Sequence, residues 1–494
     1  IKSIYLLFLV RKGTGMEKIK AKYNSMSIET KAALWFAMCN FINKGIAMIV
    51  VPLYTRLLTT EEYGTYTVFQ SWLNIFIIVA TLEISRGHYK VGITKHDTDV
   101  DNYTTSVLGL SNAVTVLFVI VYCCAIPAFN RLLEMPTYLI LSMFLYLLVY
   151  PAWEFWTIQQ RFAYKYKTMV GATLAVAILS PLVGVIGIAW FHMQSDAAIF
   201  SKLIIQGLFA LCIYILFIKK SHTLFHKIYW KEAFVFNITL IPYLLSTSIL
   251  NQADRIMING MVGAAEAAIY SVAYSVAMLM QLLNNAVSDA FIPWMYRRLR
   301  AKEYKVIEPV TNKLLILVAG TNILLILFAP EVISIFAPAR YKDAIWVIPP
   351  VAASVFFMFL FQRYINVEVY YGATTSVSST SILVAVLNIA LNYVCIKRWG
   401  YLAAGYTTLV SYIVFCVAHY FNLKKVCKSN CEGEQVFTAG YTLGISIAFL
   451  VLVFGMMALY EHRIMRFALA AGLCVVAFCK RDFIKWLLKS KKQD

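Results

Sequence analysis

Residues Thr168 to Phe191 read TMVGATLAVAILSPLVGVIGIAWF, twenty-four positions without one charged side chain. A hydrocarbon core of about 30 Å takes about 20 helical residues to cross. The stretch therefore predicts a membrane-spanning helix, and the fold follows from how often such a stretch recurs. Outward from it, apolar runs between polar breaks predict helices near 30–54, 64–86, 103–126, 136–160, 168–191, 197–218, 232–257, 265–296, 309–329, 344–363, 376–396, 402–423, 436–459 and 464–480. The fold class is all-α, a polytopic membrane protein of about 14 transmembrane helices.

Composition agrees. Of 494 residues, 61% are hydrophobic and 14% charged, against roughly 25% charged in soluble domains, and mean hydropathy is +0.70. A net charge of +19 on one face would suit nucleic acid. Here it falls in short clusters between spans, which instead orients a membrane protein against lipid and leaves no nucleic-acid partner. Lys90, Lys95, Lys165, Lys167, Lys219, Lys220, Arg297, Arg298, Arg300 and the tail Lys480–Lys492 share one side, while the other holds little beyond Arg56, Arg131, Arg340, Arg463 and Arg466. Both termini are therefore expected in the cytoplasm. Cys39, Cys212, Cys416 and Cys474 lie inside spans, which argues against a disulfide framework. Cys427 and Cys431 share a loop without a nearby histidine, a poor metal site, and no cofactor is expected. The apolar run Ile4–Val10 is too short to span, and Met16 is the expected initiator.

An internal repeat is legible. Tyr66 in 64–68 matches Tyr270 in 268–272, Gln160-Arg161-Phe162 matches Gln362-Arg363-Tyr364, and Lys219-Lys220 matches Lys424-Lys425, at offsets of 204, 202 and 205. Six helices per copy is even, so both copies enter from one side, as parallel repeats about an axis along the membrane normal. The expected organisation is an N-terminal cytoplasmic segment 1–26, a first six-helix bundle 27–225, a second 226–428, and two extra helices with a basic tail in 429–494.

The segment Pro52-Leu53-Tyr54-Thr55-Arg56-Leu57-Leu58-Thr59-Thr60-Glu61-Glu62-Tyr63-Gly64-Thr65-Tyr66 resembles the polysaccharide flippases of the multidrug/oligosaccharidyl-lipid/polysaccharide exporter superfamily, whose members usually carry proline where Thr60 stands. A second similar segment runs from Asp254-Arg255 through Gly263 to Tyr270, with Ala268 in place of the usual glycine. The resemblance covers roughly residues 27–480. It implies two bundles around a central, often cationic cavity that opens alternately to each side of a bacterial inner membrane, and transport rather than enzymatic activity. The implied substrate is an undecaprenyl-pyrophosphate-linked oligosaccharide, with membrane lipids, a coupling ion (proton or sodium) and polysaccharide-assembly proteins as further partners.

A diphosphate head group cannot cross hydrocarbon unaided, because stripping water from its charge is very costly. Charges inside spans are therefore the candidates. Lys44, mid-way along the first span, either meets pyrophosphate or pairs with a carboxylate on a neighbouring helix. Arg255 suits the cavity mouth or a tie between bundles, while its neighbour Asp254 faces another way. Arg363 and Arg161 would receive pyrophosphate from matching helix ends, Arg161 being more an interface anchor. Glu154, alone among Trp153, Phe155 and Trp156, suits a proton carrier or an inter-helix hydrogen bond. Glu83, spaced i, i+3 from Arg86, forms a local ion pair or, with Asp289 at the repeat-related place, an inner gate or coupling pair. Glu368 follows Arg363 closely and joins the gating candidates. The alternatives are a flippase for peptidoglycan precursor or a teichoic-acid intermediate, a drug/cation antiporter of the same superfamily, or a membrane glycosyltransferase or polymerase. Short inter-span stretches and the lack of a Gly-rich phosphate loop weigh against the last and against direct ATP drive.

Overall fold

The computed structural model describes residues 23–479; the expected initiator Met16 and the basic tail from Lys480 lie outside them. Among the described residues, twelve helices are long and apolar enough to cross a membrane. Thr60–Ala80 and Arg463–Cys479, more polar or shorter, bring the row to fourteen. In order these are α1 Ile28–Leu57, α2 Thr60–Ala80, α3 Val100–Cys124, α4 Thr137–Phe162, α5 Tyr166–Phe191, α6 Gln194–Lys220, α7 Lys227–Met261, α8 Ala264–Arg300, α9 Ile307–Leu327, α10 Ile348–Tyr370, α11 Thr374–Trp399, α12 Leu402–Asn430, α13 Ala439–Met457 and α14 Arg463–Cys479. α8 is interrupted at Met278.

The signature segment shapes the joint between α1 and α2. Thr59 caps α2 by accepting from the Glu62 N–H, and the Glu62 carboxylate accepts from the Thr59 N–H at 2.8 Å, a reciprocal capping box. Thr60 is then the first helical residue, where a proline is tolerated because that N–H has no helical partner.

Helix ends put the repeat in register. Leu57 and Met261 end α1 and α7, and Thr60 and Ala264 begin α2 and α8, each pair 204 apart. Further along, Phe162/Tyr370, Tyr166/Thr374, Phe191/Trp399 and Gln194/Leu402 are each 208 apart. The Gln-Arg-aromatic match at 202 is therefore out of register: Arg161 lies in the last turn of α4, whereas Arg363 lies nearly two turns before the end of α10. Near the axis, repeat-related residues should touch, and Thr67 and Ser271 (offset 204) do so through their hydroxyls at 3.1 Å.

α2 also ends earlier than the apolar pattern to residue 86 suggests. The chain turns after Ala80, with Leu82 at φ 54 and Glu83 at φ 41, left-handed values uncommon outside glycine. Burial of Leu82 and Ile84 holds the turn.

α7 joins the two halves. At the Lys-rich end of the molecule, hereafter the basic end, it packs on the first half: Tyr229 donates to Asp99 at 2.6 Å, Glu232 binds Lys95 and His96, and the Asn237 side chain accepts from the His88 N–H. Past the internal Pro242 it packs on α11 and α12. α13 and α14 lie against α9, where Glu308 accepts from Thr438 and Arg466 makes a two-pronged bond with Glu331.

Candidate functional site

Between the halves lies a cavity of about 410 Å³ walled by Asn74, Ile77, Ile78, Glu83, Arg86 and Tyr150 on one side and by Leu244, Thr247, Ser248, Asn251, Gln252, Arg255, Tyr274 and Met278 on the other. α7 contributes a run at i, i+3, i+4, i+7, i+8 and i+11 from Leu244, a single helical stripe that is polar where the rest of a spanning helix would be apolar. A second cavity of about 390 Å³ shares Thr247 and Asn251 and continues into the second half past Asn285, Ser288, Asp289, Gln362 and Asn366.

Two arginines stand on the first wall set. The Arg255 guanidinium donates to Gln252 Oε1 at 2.8 Å and to the Asn251 carbonyl at 3.1 Å, and lies over the Tyr274 ring at 4.3 Å. These direct partners are neutral, so among the described residues no ion pair ties up its guanidinium. Arg86 pairs with Glu83 at 2.8 Å; with 67% of its side chain exposed, it brings the cavity to the surface at the basic end. Glu83 is 5% exposed and sits in the turn after α2, not on the helix face the i, i+3 spacing implied. Behind them Tyr150 donates to Glu154 at 3.1 Å, so that carboxylate reaches the wall through a hydroxyl.

At the end opposite the basic loops the two halves are latched, and the latch is built from the signature segment. Arg340 donates to the Thr55 and Leu58 carbonyls at 2.6 Å, Thr55 to Phe336 O at 2.9 Å, and Arg56 to Ile335 O at 2.8 Å. Tyr63 meets Tyr341 edge-on, and a methyl group added at Gly64 would overlap the Ala264 carbonyl oxygen. Glycine there lets α2 and α8 approach backbone to backbone.

The sequence profile of the family described as "Polysaccharide biosynthesis protein" matches residues 30–299, more than half of the chain. The chain belongs to that family. Among solved structures it is similar to a lipid II flippase MurJ in an inward closed conformation, at 14% identity over 91% of this chain and 100% of that one, with a TM-score of 0.67. It is also similar to a multidrug resistance MATE family transporter of the MOP superfamily in an inward-facing conformation, at 14% identity over 81% and 99% of the two chains and a TM-score of 0.58. These likenesses establish a shared fold. No curated protein matches the chain by sequence.

In this family member, the residues singled out from sequence reach different places. Arg255, Glu83 and, through Tyr150, Glu154 meet at the first cavity, and Asp289 lines the second. Arg363 does not reach either: it is 0% exposed, bonded to Ser288 and the Phe359 carbonyl and packed on Phe359 and Phe291. Its position two turns into α10 explains the burial. Glu368 is sealed against His419 at 2.8 Å. Asp254, 1% exposed, turns away from Arg255 into a knot of neutral donors, with Asn392 and Thr408 each at 2.6 Å and Tyr270 also bonded to it. Lys44 is exposed on α1. Missed from the sequence were Tyr150, Asn251, Gln252 and Tyr274, ordinary residues alone, and Lys202, which lies inside the 197–218 run and is a spanning charge that could have been flagged.

Proposed function

We propose that this protein is a flippase that carries a lipid-linked oligosaccharide diphosphate from the cytoplasmic to the periplasmic leaflet of a bacterial inner membrane, by alternating access. The observation that carries this reading is a polar cleft between two repeat-related halves, with Arg255 on its wall bonded only to neutral groups and a latch closing one end. With the basic loops in the cytoplasm, the latched end is periplasmic and the conformation offers its cavity inward.

The repeat relates Lys44 to a residue of the wall. Subtracting 204 from the α7 stripe Leu244, Thr247, Ser248, Asn251, Gln252, Arg255 gives Asn40, Asn43, Lys44, Ala47, Met48 and Val51. Lys44 is thus the counterpart of Ser248. Its own face, Ala33, Ala37, Asn40, Lys44 and Ala47, is small, polar and exposed, whereas the lipid side of such a helix would be bulky and apolar. Lys44 and Arg255 together favour an anionic cargo and disfavour a cationic drug, while Arg86 is paired with Glu83. The lipid tail can remain in the bilayer while the head group crosses. Among the carboxylates, Asp254 is our candidate for a coupling proton, because it is buried at membrane depth and bonded only by neutral donors, the Asn392 amide and the Thr408 and Tyr270 hydroxyls.

The test is reconstitution in liposomes with a fluorescent short polyprenyl-diphosphate-linked disaccharide, its outer-leaflet arrival read by chemical quenching. Wild type accelerates arrival, and Lys44→Ala slows it per inserted molecule. Arrival no faster than in protein-free liposomes refutes the reading.

A further inference from the structure

Lys202 stands on α6 about 160° round the helix from the exposed Ile204, so it points into the first half. Its ammonium donates to Gln70 Oε1 at 2.6 Å, and the Gln70 Nε2 is buried without a protein partner. Around the two are Phe69, Leu73, Ile199 and Leu203, all buried in one apolar cluster. Among the described residues no ion pair includes Lys202. A cation kept at membrane depth beside a neutral amide, with spare donors on both groups, is an arrangement that stability alone disfavours.

Its place in the repeat says what it faces. Gln70 lies on the α2 face that looks across the cleft, one turn from the cavity residue Asn74 and one turn from Thr67, which touches Ser271. The offset of 204 relates Gln70 to Tyr274, the residue under Arg255. Each half therefore sets one cation against the same position: Arg255 on Tyr274 in the second, Lys202 on Gln70 in the first. The two differ in access. Arg255 lines the cavity, whereas Lys202 sits at a similar depth inside the first half, outside the cavity's wall.

We propose that Lys202, steadied by Gln70, is a second anion-binding station, which takes the diphosphate group of the cargo when the latch opens. The inference rests on the flippase reading, and diphosphate chemistry could equally be supplied by free inorganic diphosphate.

The purified full chain is titrated by calorimetry with inorganic diphosphate and with a short polyprenyl-diphosphate-linked disaccharide, as wild type, Lys202→Met and Lys202→Arg, each also on an Arg340→Ala background that weakens the latch. On that background Lys202→Met is expected to weaken binding of the lipid diphosphate about tenfold or more, the loss of a charge-assisted hydrogen bond, while Lys202→Arg retains most of it and folds as a charge-preserving control. Equal binding by Lys202→Met and wild type on the Arg340→Ala background overturns the station and makes Lys202 a tie between α2 and α6. Dependence on Lys202 for inorganic diphosphate only overturns its place on the cargo's path. A Lys202-dependent affinity in a chain that moves no lipid supports the anion site and refutes the flippase reading, so the two failures are distinguishable.

Discussion

The two ends of the cleft hold their arginines in opposite ways. At the latched end Arg340 and Arg56 bond to backbone carbonyls of the facing half, so parting the halves returns each guanidinium and each carbonyl to water with no carboxylate left bare. In the cavity Arg255 leans on a side-chain amide, a carbonyl of its own helix and a ring, all within the second half, so its charge is free to meet an arriving anion. One end is made to open and close, the other to bind. Neutral partners serve both purposes, because a buried ion pair would be costly to break and would cancel the charge that attracts cargo.

The strongest blow to this contrast is at Arg255. Arg255→Ala should slow flipping about ten- to hundredfold, the worth of a charge-assisted bond to diphosphate, while spin-label distances across the latch stay unchanged. An unaltered rate would make Arg255 structural. Gly64→Val should act the other way, forcing α2 from α8 at a cost of about 1–3 kcal/mol. Spin labels at Thr60 and Glu266 should then report a longer distance, and a wild-type distance would mean the contact is not where closure is decided. Thr59→Ala removes the cap that aims the signature segment and should lower stability by about 1 kcal/mol, read as thermal unfolding in detergent with both Arg255-dependent binding and the latch distance retained.

The smallest effect concerns α14, which docks beside the latch on the short helix that carries Glu331, Ile335 and Phe336. Burial pushes the Glu331 carboxyl up, but the bonds and charge of Arg466, a backbone N–H and the Arg463 charge together outweigh this and hold it below the usual carboxylate range. A depressed carboxylate contributes stability above its unfolded value of roughly 4.3 and loses it as pH falls through the depressed folded value. The distance between labels on α9 and α14 should therefore hold from pH 7 down to about 5 and lengthen only below about 4. A change near neutrality would assign the docking to another group.

Most of the helices were readable from composition alone, because a run such as 168–191 has one stable arrangement in hydrocarbon, where every backbone group must be bonded within the helix. The divergence of Asp254 and Arg255 was readable for a similar reason, since neighbours on a helix cannot face the same way. The site was less legible. The match of Arg161 with Arg363 rested on letters that recur at 202, whereas the helices themselves are related at 208, and six residues on a helix change both depth and facing. Glu83 was expected on a helix because the expected span runs on to residue 86, and its place in a turn depends on what Leu82 and Ile84 bury against.

The sequence by itself determined that the chain is all-α and polytopic and which loops are basic, because hydrophobic length and charge are local properties read residue by residue. Which charges meet the cleft, which are sealed, and that the signature segment latches one half to the other were decided only by tertiary packing. A side chain's direction depends on what occupies the far side of its helix, and those residues lie some 200 positions away in the chain.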